Sequence, residues 1–321
     1  VPVFVLFALV SGGAQLVDGS LGMGYGVTTT SILLALGTSP VAASATVQFA
    51  EVGTAVATGL SHWRFGNVDW RVVVKIGVPG GVGAFAGAQV LSSIPADVAR
   101  PLMAAVLVAL GVYLLARFTL HGVDRRNLGK PMRSSFLAPL GLGAGFVNAI
   151  GGGGWGPIST PAILSSGRME PRRAVGSVDT SKFLVALSAS AGFLSGLGAD
   201  GVDPVAVAGL LVGGVLAAPV AAWLVRRIAP RLLGSLVGGA LVLFNVRVLL
   251  GAEGLDVPGP VRGGVLLAVA AVWALAVTHS VREYRRDRVR ESADALAAEA
   301  ARLRGAGDRA VAAGRPADPR H

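Results

Sequence analysis

The sequence predicts an all-α polytopic membrane protein made of two inverted-topology repeats, about five helical segments each, plus one C-terminal helix. Three observations carry this expectation. The 321-residue chain is 53% hydrophobic and only 14% charged. Its apolar runs, among them Val205–Trp223, Leu232–Leu250 and Val261–Val277, approach the roughly 20 residues that cross a hydrocarbon core. They are continuous rather than alternating, which argues against a barrel. Third, the two halves of the chain repeat each other.

The repeat is read most easily around two glycine-rich stretches, SLGMGYGVTTTSILLALGTSP from Ser20 and IGGGGWGPISTPAILSSGRMEP from Ile150. At a constant offset Gly22, Gly24 and Gly26 fall on Gly152, Gly154 and Gly156, and Tyr25 falls on Trp155. Asp18 falls on Asn148, Thr30 on Thr160 and Gly37 on Gly167. After one inserted residue, Ala43 meets Ala174, Thr46 meets Ser177, Gln48 meets Asp179 and Glu51 meets Lys182. Val68–Asp69 meets Val202–Asp203. The chain therefore divides into a first membrane repeat (1–118), a cytoplasmic connector (119–134) and a second repeat (135–250). An additional transmembrane helix (261–280) and a basic cytoplasmic tail (281–321) follow.

In chain order the first repeat holds apolar segments at 1–17, 25–38, 41–61, 71–91 and 100–117. The second holds them at 136–150, 155–166, 173–198, 204–225 and 232–250. The segments flanking each glycine-rich stretch are short, and two arrangements fit them: half-helices of a re-entrant hairpin, or two full crossings. Either returns the chain to the side it left, so the rest of the topology is the same. No basic region precedes the first apolar run, so no signal peptide is expected in this sequence. The start of the tail, Val281–Arg304, reads as a helix along an anionic lipid surface or as a solvated segment.

Charge placement sets the orientation. The net charge is +10, but the cations gather in short connectors rather than on a nucleic-acid-binding face. Arg64 and Arg71 share one connector, and Arg117, Arg125, Arg126, Lys130 and Arg133 another. Arg168, Arg172 and Arg173 lie in a third, and Arg226, Arg227 and Arg231 in a fourth. Alternating crossings put all four on one side with the tail, whereas Gly198–Asp203, which has acids and no base, falls opposite. The positive-inside rule makes the basic side, and the C-terminus, cytoplasmic. An odd number of segments per repeat then inverts the second half. Inverted repeats with paired short or broken helices are a secondary-transporter architecture, with the substrate at the midplane between the halves. Trp63, Trp70 and Trp223 read as interfacial anchors, and Lys75 as a side chain that snorkels to the interface.

The candidate site residues follow from this plan. Irregular backbone inside hydrocarbon survives only where protein or a water-filled cavity meets it. Gly22, Gly24 and Gly26, with Gly151, Gly152, Gly153 and Gly154, can turn backbone N–H groups toward an anion at a helix N-terminus. Thr28, Thr29, Thr30, Ser159 and Thr160 add hydroxyl donors. The competing account is tight helix packing through small residues. Trp155 lines the same stretch, with packing against the glycines as its alternative. Charges within apolar segments are functional hypotheses by default. Here they are Glu51, Asp179 and Lys182, with Gln48 at the position equivalent to Asp179. A two-fold relation brings Glu51 and Lys182 together as a pair that either switches during transport or locks the halves permanently. Asp179 lies three residues before Lys182, so Lys182 can be shared between the two acids. Lys182 would attract an anion, and Glu51, Asp179 and Gln48 are the proton-coupling or gating candidates. Asp18 and Asn148 read as caps for the backbone that follows them.

No cysteine is present, which rules out disulfides and thiolate metal sites. No HExxH or GxSxG occurs, and His62, His121, His279 and His321 fall in connectors or at ends. Neither a metal, a cofactor nor an enzymatic activity is expected, and the expected partners are a small anionic substrate and the lipid bilayer. The glycine-rich stretch with its PISTP and RRAVGS runs, duplicated at half-length, resembles the TauE/SafE family of membrane permeases, the sulfite exporters. The resemblance covers about residues 5–250. It implies a bacterial or archaeal inner-membrane permease for small sulfur-containing anions such as sulfite, thiosulfate and sulfonates, with some members moving other organic acids. It sets the family's glycine-rich segments on Gly22–Gly26 and Gly151–Gly156. The expected activity is alternating-access transport, driven by the proton gradient. An anion channel, or a permease for another small organic acid, is the alternative.

Overall fold

A computed structural model describes residues 3–21, 23–120, 131–198, 202–224, 230–251 and 257–313. Eleven helices occur among them: α1 (Val3–Leu21), α2 (Tyr25–Ala35), α3 (Pro40–Arg64), α4 (Trp70–Ser93), α5 (Ala96–Leu120), α6 (Ser134–Gly151), α7 (Trp155–Ser165), α8 (Pro171–Leu197), α9 (Pro204–Leu224), α10 (Pro230–Leu249) and α11 (Gly259–Ala313). Their starts follow local chemistry. Pro40 and Pro171 occupy first-turn positions where a missing N–H costs nothing. The Asp69 carboxylate accepts from the N–H groups of Arg71 and Val72 to cap α4. The third segments, α3 and α8, extend beyond the apolar runs that foretell them.

The distribution of side chains is that of a protein dissolved in lipid. Leu216, Leu267 and Leu275 are 70% or more exposed, whereas Gln48, Glu51 and Asn148 are buried. Val74, Val78, Val82 and Phe85 make an outward stripe along α4. Among the described residues five helices are long and apolar enough to cross a membrane, α4, α5, α6, α8 and the first part of α11. Trp63 and Trp70 are exposed at the α3–α4 connector, where an anchor belongs. The side chain of Trp223 lies outside the described residues.

Helix directions resolve what the sequence leaves open. The carbonyls of Ile76 and Gly80 lie against Gly141 and Gly145, so α4 and α6 ascend together. Gly77 meets Ser181, and Gly192 meets Phe85 and Ala88, so α4 and α8 also ascend together. With α6 and α8 parallel, α7 must carry the chain back. At 11 residues it spans about 16 Å, half a hydrocarbon core. The α6–α7 unit is therefore a helical hairpin with its glycines at the tip and a second arm too short to cross. The other short helix, α2, also has 11 residues.

Packing exchanges equivalent helices between the halves. The first helix of each half lies along the fourth of the other: α6 along α4, and α1 along α9, where Phe4 O and Ala8 O meet Gly209 and Gly213. The third helices face each other, as do the fifth, with Gly111 of α5 against Gly238 of α10. Outside this arrangement α11 docks on α10 through Trp273, whose indole N–H donates to Ser235 O at 3.1 Å. The helix runs unbroken to Ala313, so the expected membrane helix and the start of the tail are one element. No Gly or Pro lies between Gly264 and Gly305 to end it.

Candidate functional site

The two hairpin tips are built alike. Asp18, near the end of α1, accepts from the backbone N–H of Tyr25 at 3.0 Å. Asn148, near the end of α6, accepts from that of Trp155, also at 3.0 Å. The glycine preceding each short helix takes φ 129° at Gly24 and φ 143° at Gly154, a region closed to most L side chains. Each carboxylate or amide thus satisfies an N–H that the broken helix leaves without a partner.

The tips touch. A methyl group added at Gly26 would lie 2.7 Å from Gly152 O and 2.8 Å from Gly153 Cα. One at Gly153 would collide with the backbone of Gly26 and Val27. Thr30 donates to Gly152 O at 2.8 Å, and Ser44 of α3 donates to Ala149 O at 2.5 Å. Gln48 and Asn148 form a reciprocal pair: Gln48 Nε2 donates to Asn148 O and Asn148 Nδ2 donates to Gln48 Oε1, each at 3.2 Å. Gly26, Gly152 and Gly153 thus lie in close backbone contact, and Gln48 fastens the second hairpin to α3.

Against this seam sits the charged centre. Lys182 Nζ lies 3.9 Å from Glu51 Oε1 and 3.9 Å from Asp18 Oδ2. The expected pairing of Glu51 with Lys182 is present, and Asp18 is both cap and counter-charge. All three side chains are at least nine-tenths buried. Neither separation is a hydrogen bond, so the ammonium donors of Lys182 are uncommitted among the described residues. Glu51 Oε1 would lie 3.0 Å from a methyl at Gly26, which places the carboxylate against the first turn of α2. Asp179 turns elsewhere. Its Oδ2 lies 3.4 Å from His62 Nε2, at the end of α3. His62, assigned by sequence to a connector, thus reaches the membrane-embedded helix α8.

The remaining candidates divide. Trp155 is buried, its ring against Gly80 and its indole N–H donating to Val178 O at 3.0 Å. Tyr25, its counterpart, meets Ser11 at 2.7 Å and donates to Leu210 O at 3.3 Å. The hydroxyls of Thr28, Thr29, Ser159 and Thr160, with Glu51 Oε2 and Asp179 Oδ1, are buried without a hydrogen-bond partner among the described residues. Thr28 also lines, with Ser31, an apolar cavity of about 290 Å³ bounded by α2, α10 and α11. Gly151 lies against Val106 of α5. Gly22 lies outside the described residues.

A buried ionisable cluster where two short helices meet marks the place in this fold where function is to be sought. The sequence profile of the family described as sulfite exporter TauE/SafE matches residues 6–248. A Bacillus subtilis (strain 168) protein named probable membrane transporter protein YtnM is 46% identical over 276 residues, which cover 85% of this chain and 91% of that protein. No solved structure matches. The profile takes in both hairpins and every residue of the charged centre, and the chain accordingly belongs to the TauE/SafE family, as a membrane transporter and not an enzyme.

Proposed function

We propose that this transporter is a secondary permease for small sulfur-containing anions, with Lys182 as the anion-attracting group. The observation that carries the reading is the ammonium between Asp18 and Glu51, 3.9 Å from a carboxylate oxygen of each and hydrogen-bonded to neither. An anion can compete for its donors without first breaking a short bond. The centre has more acids than bases, two carboxylates to one ammonium even before Asp179 is counted. Bringing in an anion therefore favours simultaneous protonation of a carboxylate, because an uncompensated buried charge is costly. This links anion movement to a proton, with Glu51 and Asp179 as the carriers. Thr29, Ser159 and Thr160 offer the hydroxyl donors of the site.

The exchanged packing of equivalent helices, and the meeting of the two tips, support an inverted repeat that rocks between two similar end states. The basic connectors support a cytoplasmic C-terminus and an inner-membrane location. The family description names sulfite, and thiosulfate and sulfonates are the small sulfur oxyanions that share its chemistry.

The test is a solid-supported-membrane current from proteoliposomes, comparing sulfite, thiosulfate, a sulfonate and a carboxylate. A saturable, anion-dependent current that Glu51→Gln or Asp179→Asn makes insensitive to pH is expected. A current that never saturates indicates a channel, and none with any anion ends the proposal.

A further inference from the structure

A second cationic site lies away from the hairpins, on the connector face. A cavity of about 550 Å³ opens there between the starts of α4 and α8, within the size range of small-ligand pockets. Arg71 and Lys75 from α4, and Arg168 and Arg173 from either side of the α8 N-terminus, line it together with Asp69 and Glu170. The positive-inside rule accounts for cations on this face. It does not account for their convergence on one cavity.

The two carboxylates do not neutralise them. Asp69 is spent on capping α4, accepting from Arg71 N at 3.0 Å and Val72 N at 3.4 Å. Glu170 pairs at 2.9 Å with Arg172, which is not among the residues lining the cavity. Arg71, Lys75 and Arg173 have no ion pair among the described residues. Arg168 is held in place by donating to Pro131 O at 3.1 Å. The N-terminal ends of two long helices, each with partial positive charge, flank the same space. Lys75, which sequence alone sends to the lipid interface, is half-buried beside this cavity.

We propose that this cavity is an anion-binding site separate from the Lys182 centre, taking a tetrahedral dianion of the phosphate or sulfate type. Guanidinium forks suit such oxygens, and an excess of cations along the walls concentrates the ligand. Lys182 is about 14 Å further along α8 from Arg173, so one anion does not serve both sites. The site goes beyond the transport reading and stands whether or not Lys182 binds substrate. The same chemistry is offered by a free oxyanion and by a phospholipid headgroup.

The test uses the full chain. Titration calorimetry with inorganic sulfate and phosphate in delipidated detergent compares wild type, the double variant Lys75→Gln/Arg173→Gln, and Arg172→Gln as a charge control outside the cavity. At least tenfold weaker binding in the double variant is expected, with Arg172→Gln near wild type. Nanodiscs separate the sources. Equal sulfate binding with and without phosphatidylglycerol identifies a free ion. Sulfate binding suppressed by phosphatidylglycerol, with that lipid retained in native mass spectra of wild type but not of the double variant, identifies a headgroup. If wild type binds neither ligand, if the double variant binds both like wild type, or if Arg172→Gln weakens binding equally, the proposal is overturned.

Discussion

The two hairpin tips share a backbone and differ in charge. Asp18 and Asn148 accept the same bond at the same place, yet only Asp18 also faces an ammonium. Glu51 and Lys182 occupy equivalent positions in the two halves and carry opposite signs. Gln48 clamps a backbone, whereas its counterpart Asp179 meets His62. Cap geometry is demanded by any broken helix in a membrane, so both halves keep it. Charge answers to no such demand, so the halves are free to diverge where they meet, and that is where chemistry can be placed.

The largest expected effect comes from removing the cation that only the second half supplies. Lys182→Gln leaves Asp18 and Glu51 buried without their counter-charge, at a cost of about 3–5 kcal/mol. Thermal unfolding in detergent reads this as a large drop in Tm, and adding Glu51→Gln should recover part of it. No recovery in the double variant would mean that Lys182 acts through packing alone.

Next is the seam between the tips. Gly153→Ala drives a methyl into the backbone of Gly26 and Val27 and should cost about 3 kcal/mol with loss of transport. Gly143→Ala, with nothing within 4 Å, is the matched control and should be neutral or slightly stabilising. Equal stability for the two variants, measured by denaturant midpoint, would argue that the tips do not touch.

Smaller is the effect that separates cap from charge. Asp18→Ala loses a cap worth about 0.5–2 kcal/mol as well as the counter-charge. Asp18→Asn makes the first tip resemble the second, so it should hold the Tyr25 N–H while altering anion currents. If both variants unfold together, the cap of the first tip depends on the charge, and the likeness of the two tips is only geometric.

The smallest expected change is at the rim. His62→Gln removes a partly exposed partner of Asp179 and should shift stability by less than about 1 kcal/mol. Its readout is the pH profile of the transport current, which should move while the maximal current stays near wild type.

Much of this was legible beforehand. Apolar runs gave α1 to α10 to within a few residues, because hydrocarbon forces each span to satisfy its own backbone. Aligning the repeats was enough to pair Glu51 with Lys182, although the two are far apart in sequence. His62 was missed because its place near a connector hid its reach back to α8. The second role of Asp18 was missed because an Asx cap already explained it. The continuity of α11 was readable from its lack of Gly and Pro, but the change from apolar to charged composition drew attention to a boundary instead.

The sequence by itself determined the solvent and the course of α1 to α10, since both depend on composition and local period alone. Only the tertiary structure decided that α6 and α7 turn back on each other, that glycines at the two tips meet face to face, and that a single ammonium stands between two carboxylates. Those depend on distances between segments distant in the chain, which are set when helices pack through their small residues and no property of either segment alone contains them.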